Sequence, residues 1–242
     1  MADGLAVKVH HGETVGTELT RRLAVAARPE LRAILLPPNE LIPAGDRWVS
    51  LWPAGEPVPR DPEAAPWAEA GRLLAALHQV DPSGLSALPQ AGTPERVARA
   101  MRRLVRSDSP HAATVLRAWT GLPVSAAPRL VHGDWHLGQL VRYEGRWLLI
   151  DLDDLGLGDP SWDLGRVAGY WAAGVLPEDS WPRLLDAYLA AGGLCGRHWY
   201  EVDAAARAHV AHSAARSLLR GTELDEVDLA LIEACHRMKE IR

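Results

Sequence analysis

Hydrophobic and polar positions alternate at the start of the chain, and Leu5-Ala-Val-Lys-Val9 predicts a short strand. The period then changes. Leu19, Leu23 and Ala26 share one face at helical spacing, so 14–28 predicts a helix with Thr14 or Thr17 as candidate caps. Residues 31–36 and 47–51 read as two further strands, with Pro37, Pro38, Pro43 and Gly45 punctuating the stretch between them. Five prolines in "WPAGEPVPRDPEAAP" make 52–66 a loop and a candidate hinge. A helix follows over 67–80, with Leu73, Leu74 and Leu77 on its apolar side, and another over 93–119. Strands are predicted at 129–131, 139–143 and 146–150, the last two joined by Glu144-Gly145, a turn in which glycine tolerates positive φ. From there the pattern is helical: 162–174, 178–191, 199–219 and 224–240.

Strands come first and helices later, which predicts an α+β fold of two lobes. The expected division is a small β-rich N-lobe over 1–54 and a large, mainly helical C-lobe over 55–242.

Composition narrows the partners. Of 242 residues, 26 are basic and 31 acidic, for a net charge of −5, without the basic excess expected of a nucleic-acid binder. No apolar run is long enough for a membrane span, and the Met-Ala-Asp-Gly start lacks the features of a signal peptide. Cys195 and Cys235 are too far apart for a zinc knuckle, so a cytoplasmic protein with reduced thiols is expected. Only Lys8 and Lys239 are lysine; the other 24 basic residues are arginine. A lysine surviving in so arginine-rich a chain draws attention, because the two cations are not interchangeable at every site.

The densest chemistry lies in "LVHGDWHLGQLV", residues 130–141. His132, Asp134 and His136 alternate, so on an extended segment they face one way and form a conceivable metal site. The spacing His132-x-Asp134-x-x-x-x-Gln139 also resembles the kinase catalytic loop, in which an aspartate receives the proton of the attacking hydroxyl and an amide five residues on holds magnesium. Asp151, after the apolar strand ending at Ile150, then stands where the other metal ligand, a carboxylate, is needed. Phosphates repel an incoming nucleophile, and a divalent cation held by hard oxygen ligands neutralises that charge.

Together with "LIDLDDLGLGDPSWDLG" and the helix end Leu77-His78, the loop resembles the aminoglycoside phosphotransferase and choline kinase group. The resemblance implies a protein-kinase-like fold that transfers the γ-phosphate of ATP or GTP to a hydroxyl. On that basis Asp134 matches the catalytic base, Asp151 and Gln139 the Mg2+ ligands, and Asp163 a structural aspartate bonding the catalytic-loop backbone. Asp153 and Asp154 read equally well as solvated turn residues. Gln139 stands where the group has asparagine, and its extra methylene displaces the amide oxygen by about 1.5 Å. Lys8 resembles the lysine that grips the nucleotide phosphates, with Glu18 as its expected ion-pair partner and Glu13 a weaker candidate.

Only seven residues precede Lys8, whereas a glycine-rich, phosphate-covering hairpin needs on the order of 15. The expected N-lobe therefore lacks that hairpin, and a protein partner that completes it is conceivable. The acceptor is expected to be a small molecule or natural product of the antibiotic or amino-alcohol type, or a peptide Ser/Thr. Acidic residues of the last helices are interspersed with Arg183, Arg197, Arg207, Arg216 and Arg220, which reads as a solvated surface. The alternative is a pseudokinase scaffold with little or no turnover, for which Gln139 and the short N-lobe are the arguments.

Overall fold

The structure, a computed structural model, describes residues 4–85, 87–119, 121 and 127–238. It is an α+β fold, with small sheets toward the N-terminus and a mainly helical C-terminal part.

The first sheet is antiparallel, with β3 (Arg47–Pro53) between β1 (Leu5–Val9) and β2 (Glu40–Ala44). The two-residue period of β1 leaves Leu5, Val7 and Val9 exposed on one face and turns Lys8 to the other. Helix α1 (Gly16–Ala26) buries Leu19, Leu23 and Ala26 as its spacing predicts. The strand expected at 31–36 is not formed. Pro29–Leu31 is a single 3₁₀ turn, and Leu35 makes one parallel bridge to Leu149. A short buried apolar run does not distinguish strand from turn by periodicity. The second strand is instead β2, which includes Pro43; on a sheet edge its missing N–H leaves no ladder bond unmade.

The expected hinge at 52–66 contributes β4 (Glu56–Pro57) to a second sheet of order β4-β6-β7. In that sheet β6 (Leu140–Tyr143) and β7 (Arg146–Leu149) form the expected hairpin, with φ of 48° at Glu144 and 78° at Gly145. A short pair, β5 (Arg129–Val131) with β8 (Gly156–Gly158), flanks the catalytic-type loop. The glycines of β8 carry no strand signal.

Helix α2 (Trp67–His78) packs on α6 (Ser180–Ala190), and Gly71 admits the backbone of Leu184 and Tyr188. The helix expected over 93–119 is two helices, α3 (Thr93–Leu104) and α4 (Ala112–Ala118). Pro110 cannot sit in a helix interior, and Ser107 accepts the backbone N–H of Ser109 in the break. Helices α5 (Ser161–Ala172), α7 (Tyr200–Arg220) and α8 (Glu226–Arg237) complete the chain. The end of the last expected helix, 239–240, lies outside the described residues. At Gly165 and Gly169, α5 approaches α7 closely, against Ala205 and Ala206. One apolar core is built around α2, α6 and the sheets and takes in Trp135 and Leu137 of the loop after β5, and another is built around α3, α4, α7 and α8.

Candidate active site

The loop after β5 is fixed from below by one carboxylate. Asp163, in the first turn of α5 and fully buried, accepts the backbone N–H groups of His132 at 2.6 Å and Gly133 at 2.9 Å. His78 Nε2, at the end of α2, lies 3.1 Å from the same carboxylate. Burial pushes the Asp163 carboxyl up, but the bond from His78, its charge and that of His132 outweigh it and hold Asp163 below the usual range. The structural role expected of Asp163 is the one it has.

Gly133 has φ of 84°, and a Cβ there would run into the Asp154 carbonyl. Its own carbonyl accepts Thr93 Oγ1. The arginine that protein kinases carry at this position has no room here.

Asp134 emerges half-buried from this loop. Both Arg166 Nη2 (2.5 Å) and Arg96 Nη2 (3.0 Å) converge on its Oδ1. Arg166 comes from α5, three positions after Asp163 and therefore on the same helix face. Arg96, on α3, also pairs with Asp154 and bonds Thr93 Oγ1 at 2.8 Å. Neither arginine was singled out from sequence; the Asp163–Arg166 spacing was the available signal.

The end of β7 supplies the second acidic group. Ile150 N–H donates to the Gln139 carbonyl at 3.0 Å, which ties the end of the hairpin to its start. Asp151 then adopts a left-handed φ of 62°, sparsely populated for a residue with a side chain. Its carboxylate forms an ion pair with Lys8 through Oδ1 and accepts Gln139 Nε2 at 3.1 Å through Oδ2. Lys8 Nζ also lies 2.8 Å from Asp153 Oδ1, and Asp153 Oδ2 is 2.9 Å from His10, itself 2.8 Å from Ser50. Burial works against the Lys8 charge, but Asp153 and Asp151 outweigh it and raise the ammonium above its ordinary value. Asp153, penalised by burial, is held low by His10 and Lys8.

Several expectations are corrected here. Lys8 pairs with Asp151 and Asp153, while Glu18 pairs with Arg22 at 3.2 Å and Glu13 with Arg99 at 3.3 Å. Arg22 in turn donates to the Leu155 carbonyl, so Glu18 is engaged within its own helix face. Asp153 and Asp154 are not solvated turn residues; each is in an ion pair. The alternative metal site is not formed. His132 Nε2 meets the Ile150 carbonyl at 2.7 Å, and His136 Nδ1 accepts the Gly138 N–H at 3.1 Å. Among the described residues no group of three or more His, Cys, Asp or Glu is arranged to hold a metal.

Two clefts meet at Lys8 and Asp151. One, of about 530 Å³, has walls that include Ala6, Leu36, Trp52, Val58 and Ile150, with Lys8, Gln139 and Asp151 also lining it. The other, of about 640 Å³, is polar and contains Asp134, Asp153 and Asp154. The first can take a flat apolar ring with a charged tail; the second opens onto the carboxylate that can receive a proton.

This is the architecture of a kinase-like phosphotransferase. A sequence profile described as the phosphotransferase enzyme family matches residues 15–205, and the chain belongs to that family. Solved structures share the fold. A thermostable mutant of aminoglycoside phosphotransferase APH(4)-Ia, in ternary complex with AMP-PNP and hygromycin B, matches with a TM-score of 0.69 at 14% identity over 98% of this chain and 86% of that one. A choline/ethanolamine kinase family protein from Mesorhizobium loti matches with a TM-score of 0.56 at 18% identity over 98% and 88%. Amicoumacin kinase hAmiN, in complex with AMP-PNP, Ca2+ and Ami, matches with a TM-score of 0.65 at 14% identity over 96% and 80%. Comparison with curated proteins gives no match. No helix among the described residues is long and apolar enough to cross a membrane.

Proposed function

We propose that this protein transfers the γ-phosphate of ATP or GTP to a hydroxyl of a small molecule. The observation that carries the reading is the meeting of Lys8, Gln139 and Asp151 in an apolar cleft, with Asp134 in the adjoining one. In this reading residues 1–54 form the donor-binding N-lobe and 55–242 the lobe that carries the catalytic loop and the acceptor site.

The nucleotide base lies between Trp52, Leu36 and Ile150, and Lys8 meets the phosphates as a compact point charge. Asp151, with the Gln139 amide turned so that its oxygen rather than its NH2 faces the carboxylate, would hold a hard divalent cation such as Mg2+; in this structure the cation these carboxylates take is the Lys8 ammonium, between Asp151 and Asp153. Held by these residues, Mg2+ would supply charge neutralisation on the transferring phosphate. Asp134 receives the acceptor proton. Arg166 and Arg96 occupy its Oδ1 and hold the carboxylate in place, which leaves Oδ2 for the acceptor hydroxyl. The hydroxyl oxygen bonds to the γ-phosphorus, the bond to the β–γ bridging oxygen breaks, and the proton passes to Asp134. The crystallised relatives holding AMP-PNP with hygromycin B or with Ami support a small-molecule acceptor.

A scaffold that holds nucleotide without turnover is the second reading. Gln139 in place of the usual asparagine favours it, together with the two arginines already neutralising Asp134.

Thermal unfolding with ATP and GTP, with and without Mg2+, tests the donor site, because a ligand that binds only the folded state raises Tm. A magnesium-dependent rise is expected. Asp134→Asn should keep that rise and lose about 100-fold or more in transfer. A rise without any hydrolysis or transfer across hydroxyl acceptors favours the scaffold, and no rise at millimolar nucleotide removes the donor site.

A further inference from the structure

The acceptor side has a charge of its own. Arg96, Arg99 and Arg103 recur at spacings of three and four along α3, so they share one face. His212, Arg216 and Arg220 recur at spacings of four along α7. The two faces meet across a cavity of about 320 Å³ to which, among the described residues, five arginines and no carboxylate contribute. The spread of acids along the last helices, which reads from sequence as a solvated mixture, does not extend into this groove.

Most of these arginines have a partner outside the cavity. Arg96 meets Asp134 and Asp154, Arg99 meets Glu13 at the surface, and Arg220 meets Asp228 at 2.9 Å. Arg103 and Arg216, one on each wall and both exposed, have no acidic partner among the described residues. His212 is buried at the same place; burial, then Arg96 and Arg216, push it down to about 4, so it adds no charge at neutral pH. Two of the five groove arginines, Arg103 and Arg216, thus face each other across the cavity without an acidic partner among the described residues.

It also leads to the chemistry. Arg96 and Arg99 line both this cavity and the polar cleft that contains Asp134. We infer that the acceptor is a hydroxylated anion, a small molecule whose phosphate or carboxylate group sits between Arg103 and Arg216 while its hydroxyl reaches Asp134. This rests on the phosphotransferase reading and adds the class of acceptor to it. A polycationic acceptor meets repulsion in the groove itself, while the carboxylates of the adjoining cleft, among them Glu13, Glu95 and Asp154, face only the part of the acceptor that reaches Asp134.

The test is a thermal shift with inorganic phosphate and with citrate against chloride at matched ionic strength, run on the full chain without nucleotide and again with Mg2+ and AMP-PNP. Phosphate or citrate should raise Tm in both series, which of the two does so telling phosphate from carboxylate. The concentration for half the shift should rise about tenfold in Arg103→Ala/Arg216→Ala. Arg102→Ala, on α3 outside the groove, should leave the anion shift in place. If the double variant does not fold, Arg103→Gln and Arg216→Gln singly should each weaken the anion. No shift beyond chloride, a shift that survives the arginine variants, or a shift with spermine but with neither anion overturns the inference. A nucleotide shift without an anion shift removes this inference alone, and an anion shift without any nucleotide shift removes the phosphotransfer reading while the groove stands.

Discussion

Asp163 accepts the backbone N–H of His132 at 2.6 Å from 31 residues away, and the adjoining N–H of Gly133 goes to its other oxygen. A loop of this shape has few internal bonds of its own, so a charged acceptor beneath it sets where Asp134 emerges. His78 completes the cage from α2, and its other ring nitrogen lies 2.8 Å from the Tyr188 hydroxyl on α6. One buried carboxylate thus ties α2, α5 and the catalytic loop together, with α6 joined through His78.

Asp163→Asn should therefore destabilise the fold rather than only slow it. An amide oxygen can accept one of the two N–H groups, while its NH2 faces the other donor. Leaving buried donors unmatched costs about 3 kcal/mol. Urea unfolding should show the lower midpoint with an unchanged slope, and a midpoint equal to the parent's would remove Asp163 from this role.

Gln139 and Asp151 give a prediction of opposite character. In this structure the long Gln139 side chain spans to Asp151 Oδ2 at 3.1 Å. Asparagine is shorter by about 1.5 Å and would release that bond, opening space for a cation between the two groups. Gln139→Asn should give transfer equal to or better than the parent, with nucleotide binding at least as dependent on Mg2+. On the proposed function, Asp151→Ala removes the proposed cation ligand and one of the two carboxylates paired with Lys8 at once, and should lose about 100- to 1000-fold or more. Steady-state rates across a magnesium titration check both; full turnover by Asp151→Ala would defeat the assignment.

Much of this site could be read from the chain because its parts lie in short local patterns. The loop around Asp134, the hairpin turning at Glu144-Gly145 and the aspartate after Ile150 are each contiguous, and their order suffices to arrange them. Asp163 followed from the resemblance and was placed correctly. What stayed hidden was pairing between distant segments. Lys8 meets Asp151 and Asp153 across more than 140 residues, whereas the local argument pointed to Glu18, which its own helix neighbour Arg22 engages. Arg96 and Arg166 act on Asp134 only because α3 and α5 fold against the same loop. The missed elements have equally plain causes. The run at 31–36 is apolar because it is buried in a turn, and Pro110 divides a helical pattern whose apolar spacing continues on both sides.

Burial of His212 beside the basic groove should make stability sensitive to mild acid. Its ring is buried, and burial, then Arg96, Arg216 and Arg166, lower it to about 4, with Asp134 opposing. An unfolded histidine titrates near 6.5. As pH falls through about 6.5 the unfolded chain takes up a proton that the folded one refuses, so the unfolded state gains. Stability is therefore constant above that pH on this account, declines through the window down to about 4, and levels once both states are protonated. The separation of the two values corresponds to a loss of roughly 3 kcal/mol at the low end. His209 and His136 are lowered as well and add to the slope, His209 chiefly by burial and Arg166. Asp163 and Asp153 are held low, so their share is lost only below the ordinary carboxylate range, whereas Asp154, raised chiefly by burial, takes up its proton earlier in the folded chain and offsets part of the decline. Urea unfolding at about pH 7 and about pH 5 should show the decline, and His212→Asn should reduce it by the part belonging to one proton. An unaltered pH slope in that variant would mean that burial beside the arginines does not hold His212 neutral.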